Sequence, residues 1–128
     1  MTRKREGFTL IELLAVMAVI GILIGIILGI SGYATYKSDE AKANADIENI
    51  KQLLDKYRAD KGVYPSGNFK NTIKDLDKTF FQETDGLRDP WGQEYQYQRP
   101  KKYVAYVWSK GPDDESETKD DIGEFPPD

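Results

Sequence analysis

The 128-residue sequence contains no cysteine and no histidine. Without cysteine, disulfide bonds cannot hold the fold together and no thiolate nucleophile is available. Without histidine, a Ser–His nucleophilic site is excluded, and so is a zinc site built from His and Cys ligands. These are the largest enzyme classes for a small domain, and the sequence offers no other convincing catalytic set. We therefore predict that the chain is not an enzyme.

Basic residues are fewer than acidic ones. The sequence has 18 Lys and Arg against 22 Asp and Glu, which gives a formal charge of −4 at pH 7. Surfaces that bind nucleic acid need clustered Lys and Arg, so we do not expect nucleic acid as a partner. The length is sufficient for one domain and an additional anchor.

Charge is missing altogether from residues 13–36, a run of 24 residues. At ~1.5 Å of rise per residue, a helix of this length crosses a hydrocarbon core of ~30 Å. A short basic leader precedes the apolar run, and a single carboxylate, Glu12, lies at its start. An ionisable group at membrane depth costs roughly 2.5 kcal/mol or more, so Glu12 is a candidate functional residue. The alternative is a side chain that reaches the polar headgroups from near the membrane surface.

The residues before the apolar run follow a specific order of types. The segment Lys4-Arg5-Glu6-Gly7-Phe8-Thr9-Leu10-Ile11-Glu12 has basic residues, then a glycine, an aromatic residue and a glutamate. This pattern resembles the processing site of type IV pilins and of the pseudopilins of type II secretion. A secretory signal peptide is the competing interpretation, but it needs a small-residue cleavage site after an apolar segment of ~7–15 residues. Here the glycine precedes the apolar run, which favours the pilin-like interpretation.

The resemblance implies roles for three of these residues. A prepilin peptidase would cut between Gly7 and Phe8 and methylate the new amino terminus. Glu12 would then pair with the Phe8 amine of a neighbouring subunit, because an unpaired carboxylate among packed helices is costly. Loss of the leader, residues 1–7, removes three Lys or Arg and one Glu, and leaves a mature chain of charge −6.

Apolar residues continue at helical spacing beyond the uncharged segment. In the polar segment 37–61 the stripe consists of Ala43, Ile47, Ile50, Leu54 and Tyr57. No proline occurs between Phe8 and Lys61, and Gly62 is suited to end a helix. We predict a single helix of about 54 residues whose first half is the membrane anchor. The alternative is two helices separated near Ser31-Gly32.

Gly21, Gly25 and Gly29 recur every four residues within the anchor. A stripe of small residues lets helix backbones approach closely in a membrane, so we predict that it contributes to packing between subunits. The alternative is that glycine is simply common in membrane helices. Many members of the resembling family have proline at the position of Gly29, and their assembled helix unwinds there. Glycine costs a helix only about 1 kcal/mol, so unwinding is not implied for this chain.

Two motifs after the helix resemble the major-pseudopilin branch of the same family. The first is the helix exit, residues 57–65, and the second is Asp89-Pro90-Trp91-Gly92 with the residues up to Tyr97. The second is more discriminating, because adhesive pilins do not usually carry it. Asp-Pro is typical of a turn, and Trp91 is predicted to anchor the core beneath a small sheet.

Short elements are predicted around these motifs. A helix over residues 71–76 would begin with a capping box formed by Thr72 and Asp75. Two strands are predicted at 94–99 and 102–108, with a turn at 99–101. Half-buried aromatic positions are expected at Tyr95, Tyr97, Tyr103, Tyr106 and Trp108. We interpret these aromatic residues as core, with carbohydrate binding as the alternative.

The C-terminal segment is rich in carboxylates. Residues 113–121 contain six Asp and Glu side chains. Ca²⁺ takes 6–8 oxygen ligands and uses carboxylates, hydroxyls and carbonyls together, so a loop of this length has suitable donors. The spacing does not match an EF-hand. From the residues alone, a solvated acidic loop is an equal alternative. The resemblance favours a structural calcium ion, and the positions that match its ligand region are Ser109, Asp113, Asp120 and Asp121.

Together these observations predict an α+β, pilin-like chain. Its long N-terminal helix would pack on a small antiparallel β-sheet head with a C-terminal loop. The segments are a cleaved leader at 1–7, a transmembrane and assembly half of the helix at 8–36, and a periplasmic head at 37–128. The resemblance implies a major pseudopilin of type II secretion that polymerises in the periplasm to help export folded proteins. The alternative is a type IV pilin for adhesion, motility or DNA uptake.

The resemblance also implies partners and a location. Copies of the chain would form a helical filament, together with minor pseudopilins and an assembly platform in the inner membrane. The prepilin peptidase would be a further partner. Before assembly the chain would span the inner membrane once, with its head in the periplasm.

Overall fold

The computed structural model describes residues 7–127, apart from the side chain of Ser31. The elements in chain order are helices α1 (Leu10–Lys61), α2 (Phe69–Leu76) and α3 (Lys78–Glu83), then strands β1 (Gln96–Lys101), β2 (Val104–Ser109) and β3 (Ile122–Glu124). Contacts divide the chain into two units, Met1–Tyr36 and Lys37–Asp128. Residues 1–6 of the predicted leader lie outside the described residues.

Helix α1 begins at Leu10 and is helical throughout its length, including residues 31 and 32. Prediction and structure agree on a single element, which starts two residues later than expected. At its other end the Gly62 amide donates to the Arg58 carbonyl at 2.7 Å, and Gly62 has a φ of +78°. A left-handed residue directly after the last turn is a common helix ending that glycine adopts without strain. The predicted role of Gly62 is confirmed.

Within the first unit, the large apolar side chains from Phe8 to Tyr33 are all exposed. By length and composition, α1 is the one helix in the described part of the chain that is apolar enough to cross a membrane. An exposed apolar surface of this extent needs lipid or a protein partner to cover it. The structure therefore agrees with the predicted anchor.

Within the second unit, the predicted stripe of α1 forms one wall of the core. Ala43, Ile47, Ile50 and Leu54 are buried, and Tyr57 is half-buried. The rest of the cluster comes from the elements that follow, and it consists of Phe69, Ile73, Phe80, Leu87, Tyr95, Val107 and Ile122. Trp91 packs against this cluster from a partly buried position, in agreement with its predicted role.

The two short helices differ from the prediction in their boundaries. Helix α2 begins at Phe69 and not at residue 71, because Asn68 is its N-cap and accepts a hydrogen bond from the Asn71 amide. The predicted capping box at Thr72 and Asp75 is therefore wrong. Asn is among the preferred N-cap residues, and its carbonyl oxygen satisfies an amide that the first turn leaves free. Helix α3 was not predicted, since six residues are too few to show a periodic pattern.

The sheet is antiparallel, with the strand order β1-β2-β3. Its register pairs Tyr97 with Val107 on the core face and Gln96 with Trp108 on the opposite face. The predicted turn at 99–101 is wrong, because β1 runs to Lys101 and the chain turns after it. Pro100 is tolerated there because β1 is an edge strand, where a missing N–H need not break the ladder. Tyr103 lies in the turn and is 61% exposed, so its predicted half-buried position is also wrong.

Candidate functional site

The first candidate site surrounds Glu12 at the start of α1. The Glu12 carboxylate accepts hydrogen bonds at 2.8 Å from both the Thr9 amide and the Thr9 hydroxyl. In return, the Glu12 amide donates to the Thr9 hydroxyl at 3.3 Å. This reciprocal arrangement is a capping box, which satisfies amides that the first helical turn leaves free. In the single chain Glu12 therefore already has a local partner.

Sequence reasoning missed this second role of Glu12, although the signal was present. Thr9-x-x-Glu12 has the capping-box spacing and directly precedes the apolar run. Two residues before Thr9, Gly7 has no atom within 4 Å of the position that a Cβ would occupy. Phe8 is 84% exposed, so both residues that flank the predicted cleavage point lie open at the surface.

The glycine stripe of the anchor also faces open space. A Cβ added at Gly21, Gly25 or Gly29 would meet no atom within 4 Å. Packing within the single chain therefore does not require glycine at any of these positions. The open space along this stripe leaves room for the predicted close approach of another helix.

The second candidate site is the C-terminal loop, residues 110–121, which joins β2 to β3. Its entry is held by Ser109, which is fully buried. The Ser109 hydroxyl donates to Asp89 at 2.6 Å and accepts from the Gly111 amide at 3.0 Å. Ser109 is thus already engaged through its side chain with the Asp-Pro-Trp-Gly turn.

The carboxylates of the C-terminal loop are joined through Thr118. Its hydroxyl lies 2.7 Å from an Asp120 oxygen and 3.1 Å from an Asp121 oxygen. The hydrogen bond from the Thr118 hydroxyl is the main reason why the pKa of Asp120 lies below its usual range. Contact with Asp113 lowers this pKa further. Asp121 also accepts a hydrogen bond from the Glu117 amide at 2.7 Å. Three of the four predicted calcium positions therefore lie together, whereas the side chain of Ser109 turns towards Asp89.

The side chains of the C-terminal loop do not by themselves form a complete metal site. Among residues 7–127, no group of three or more carboxylate, imidazole or thiol side chains is arranged to hold a metal ion. Oxygen atoms are the donors that a hard cation takes, and the loop carries them on Asp113, Asp120, Asp121 and Thr118, although the carboxylates are not grouped around one point. Calcium commonly completes such a set with backbone carbonyls and water.

A buried hydrogen bond between Tyr95 and Asp46 in the head was not predicted. Asp46, on α1, is only 8% exposed and accepts a hydrogen bond from the Tyr95 hydroxyl at 2.9 Å. Burial raises the pKa of Asp46, and the Tyr95 hydrogen bond opposes this shift. Burial also raises the pKa of Tyr95. The sequence shows Asp46 only as one of several polar residues around a helix, so its burial could not be inferred from the pattern.

Two family matches cover different parts of the chain. Residues 33–125 match the family described as "Type II secretion system (T2SS), protein G". Residues 2–28 match "Prokaryotic N-terminal methylation motif". The two matches together include the anchor, the head and the region around Glu12.

Relatives named "Type II secretion system core protein G" are similar along nearly the whole chain. The protein of Escherichia coli (strain K12) is 34% identical over 132 residues, covering 94% of this chain and 91% of the relative. The protein of Dickeya chrysanthemi is 33% identical over 138 residues, covering 98% and 89%. Among solved structures, the major pseudopilin from the type 2 secretion system of enterohaemorrhagic E. coli matches with a TM-score of 0.54 and 25% identity, covering 73% of this chain and 92% of that chain.

Proposed function

The chain belongs to the protein G family of the type II secretion system, and we propose that it is the major pseudopilin of such a system. In this role it is a structural subunit that polymerises into a periplasmic filament and helps to export folded proteins. The observation that carries the proposal is the protein G match over residues 33–125, which covers nearly all of the head and is independent of the processing region. The resemblance of Asp89-Pro90-Trp91-Gly92 to the major-pseudopilin branch points the same way.

The alternative of a surface pilin has less support. A methylation motif is shared by pilins and pseudopilins, so the match over residues 2–28 does not separate them. The relatives that match the head are core protein G of type II secretion systems. As a member of a family of structural subunits, the chain is not expected to catalyse a reaction.

Membrane anchoring follows from the apolar part of α1. We propose that the chain spans the inner membrane once, with its head in the periplasm, that a prepilin peptidase cuts after Gly7, and that the mature chain stays in the membrane until it assembles. The exposed apolar side chains from Phe8 to Tyr33 would then exchange lipid contacts for contacts with other subunits. Close approach would be favoured along Gly21, Gly25 and Gly29, because packing drives helix association in a membrane. Minor pseudopilins and an assembly platform would be further partners.

Glu12 would change partners during this process. In the single chain its carboxylate caps α1 through Thr9. Cleavage creates an ammonium group on Phe8, and in a filament that group would lie beside Glu12 of the neighbouring subunit. A charge-assisted hydrogen bond between ammonium and carboxylate is stronger than one between neutral groups. The pairing would therefore set the axial register between subunits.

We further propose that the C-terminal loop holds a structural calcium ion. The residues that would hold it are Asp113, Asp120 and Asp121: oxygens of Asp120 and Asp121 lie beside the Thr118 hydroxyl, and Asp113 contacts Asp120. Calcium would neutralise carboxylates that otherwise repel one another, and its binding would stabilise the folded head by mass action. This ion would perform the stabilising function that a disulfide performs in many adhesive pilins.

Deletion of the gene for this chain in its own bacterium tests the proposed function. We expect exported proteins to be missing from the culture fluid and to accumulate in the periplasm. A plasmid copy of the full chain should restore export, whereas a copy with Glu12→Ala should not. Normal export together with loss of surface filaments, adhesion or motility would contradict the proposal and support the pilin alternative.

A further inference from the structure

Asp89 is a buried carboxylate that accepts hydrogen bonds from three donors. It is 5% exposed. One carboxylate oxygen accepts from the amides of Trp91 at 3.1 Å and Gln93 at 2.8 Å, and the other accepts from the Ser109 hydroxyl at 2.6 Å. In the described part of the chain, no Lys or Arg lies within ion-pairing distance of Asp89. Neutral donors alone therefore compensate this buried charge.

The direction of the hydrogen bond at Ser109 is determined by Asp89. A hydroxyl has one proton to donate and two lone pairs that accept. Because a carboxylate only accepts, the Ser109 proton must point to Asp89, and a lone pair is left for the Gly111 amide at 3.0 Å. We call this chain of two hydrogen bonds the Asp89–Ser109–Gly111 relay.

The relay ends where the C-terminal loop closes on itself. Gly111 is buried and has a φ of +67°. A Cβ at this position would overlap the backbone carbonyl oxygen of Asp120 and approach an Asp120 carboxylate oxygen to 2.9 Å. The start of the loop therefore lies directly against its end, and the orientation of the Gly111 peptide affects where Asp120 lies.

We propose that Asp89 is a positioning residue for the C-terminal loop. It acts through the Ser109 hydroxyl, which holds the Gly111 amide and so fixes the backbone against which Asp120 packs. The Asp-Pro-Trp-Gly turn and the acidic loop, more than 15 residues apart in sequence, are in this way one structural unit. The extension to calcium rests on the proposed function, but the positioning role does not.

Amide hydrogen exchange at Gly111 tests the positioning role in the full chain in detergent micelles. Ser109→Ala removes both hydrogen bonds of the relay, so Gly111 should exchange at least about tenfold faster. Asp89→Asn should have a smaller effect in the same direction. Either orientation of the Asn amide leaves one mismatch, because its NH₂ group must face a donor amide or donate to Ser109, whose own proton then loses its acceptor.

Thr84→Ala is the matched control for a lost buried hydroxyl. The Thr84 hydroxyl donates to the Phe80 carbonyl at 2.9 Å and accepts from the Leu87 amide at 3.3 Å, and neither partner belongs to the relay. This variant should leave exchange at Gly111 unchanged. Unchanged exchange at Gly111 in Ser109→Ala would overturn the positioning role. Equal acceleration at Gly111 and at the core amides of α1 would also overturn it, since that result indicates global unfolding.

Calcium titration by calorimetry adds a second readout on the same proteins. Removal of residues that orient ligands typically weakens metal binding 10–100-fold, so we expect about tenfold weaker binding for Ser109→Ala and none of this loss for Thr84→Ala. Calcium binding that Ser109→Ala leaves unweakened would overturn the extension to calcium. A wild-type chain that binds no calcium would overturn the proposed ion, while exchange at Gly111 would still decide the positioning role.

Discussion

Glu12 has one role in the structure and a second, proposed role in assembly. Its bonds to Thr9 organise the first turn of α1 within a single chain. The proposed pairing with the Phe8 amine of a neighbour needs the negative charge itself, because an ammonium group pairs with a carboxylate and not merely with any acceptor. Variants that keep one property and lose the other can separate these roles.

We predict that Glu12→Gln inserts and is processed but assembles as poorly as Glu12→Ala. Gln retains a side-chain oxygen that can accept the hydrogen bonds from Thr9, but it has no charge for the neighbouring amine. Thr9→Ala, which keeps the charge and loses the hydroxyl, should assemble nearly normally. Chemical cross-linking of membranes measures assembly for all three. Normal assembly of Glu12→Gln would show that capping alone is sufficient.

Gly7 is predicted to be the last residue removed during maturation. The mature chain should begin with methylated Phe8, and Gly7→Leu should block the cut because the resemblance implies that the peptidase accepts only a small residue there. Intact-mass measurement of membrane-extracted protein distinguishes the two forms. Retention of Met1 in the wild-type chain, or a cut beyond the apolar run, would contradict this prediction.

Asp46 should make the head less stable as the pH rises. Burial raises its pKa above the ordinary value of 3.8, so in the window between these two values the folded state binds the proton that the unfolded state has released. The contribution of Asp46 to stability is therefore fully present below the unfolded pKa and is lost as the pH rises through the folded pKa. Tyr95 can keep donating to an uncharged side chain at this position.

Asp46→Asn should consequently gain stability relative to the wild type between acidic and neutral pH. The expected result is an unfolding midpoint of Asp46→Asn that rises relative to that of the wild type between acidic and neutral pH. Circular dichroism melts of the full chain at pH 3.5 and pH 7 measure it. A difference between the two proteins that does not change with pH would contradict the assigned burial effect.

Among the helices and strands, those with a long periodic pattern of apolar residues could be predicted from the sequence. The buried stripe of α1 repeats over several turns, so Ala43 to Leu54 could be assigned to the core before the structure was known. Strand β3 has only three residues, Ile122–Glu124, and pairs with β2 through contacts far apart in sequence. Its hydrophobic signal is a single residue, Ile122, which no pattern can identify as a strand.

The C-terminal loop should respond to calcium as a unit. If Asp113, Asp120 and Asp121 hold the ion, a hundredfold excess over Kd adds about 2.7 kcal/mol to the unfolding free energy. Chelation should then lower the midpoint of the full chain by on the order of 10 °C and increase tryptic cleavage at Lys110 and Lys119. Magnesium should substitute poorly, because it requires a tighter octahedral shell.

Two double variants give this prediction a matched control. Asp120→Ala with Asp121→Ala should reproduce the effect of chelation and abolish any further response to it. Asp114→Ala with Glu115→Ala removes the same charge from the same loop and should still respond to calcium. A melting curve that is identical with and without chelator would mean that the loop is a solvated acidic segment.

At the scale of the whole molecule, the sequence was most informative where function requires a fixed linear pattern. The apolar run is suited to a membrane by its length and composition, and the resemblance assigns the processing motif to a peptidase. Both are linear patterns, so their order along the chain is sufficient to recognise them. The relay from Asp89 to Gly111 depends on three residues that only the fold brings together. The burial of Asp46 has the same origin. Such contacts leave no periodic signal and could not be predicted.

The central claim is that mature chains assemble with parallel anchors in the register set by Phe8 and Glu12. In that register, each residue of one subunit lies beside the residue four positions later in its neighbour, so Val16 should lie beside Ile20. The chain has no cysteine, which removes background from a disulfide experiment. Cells that produce Val16→Cys and Ile20→Cys chains together therefore report the register directly.

The yield of disulfide-linked dimer in membranes is the deciding measurement. We predict a high yield for the mixture of Val16→Cys and Ile20→Cys chains and a low yield for either variant alone. Introducing Glu12→Ala into both chains should reduce the yield of the mixture to the level of the single variants. Equal yields in all samples, or a high yield that persists without Glu12, would contradict the account.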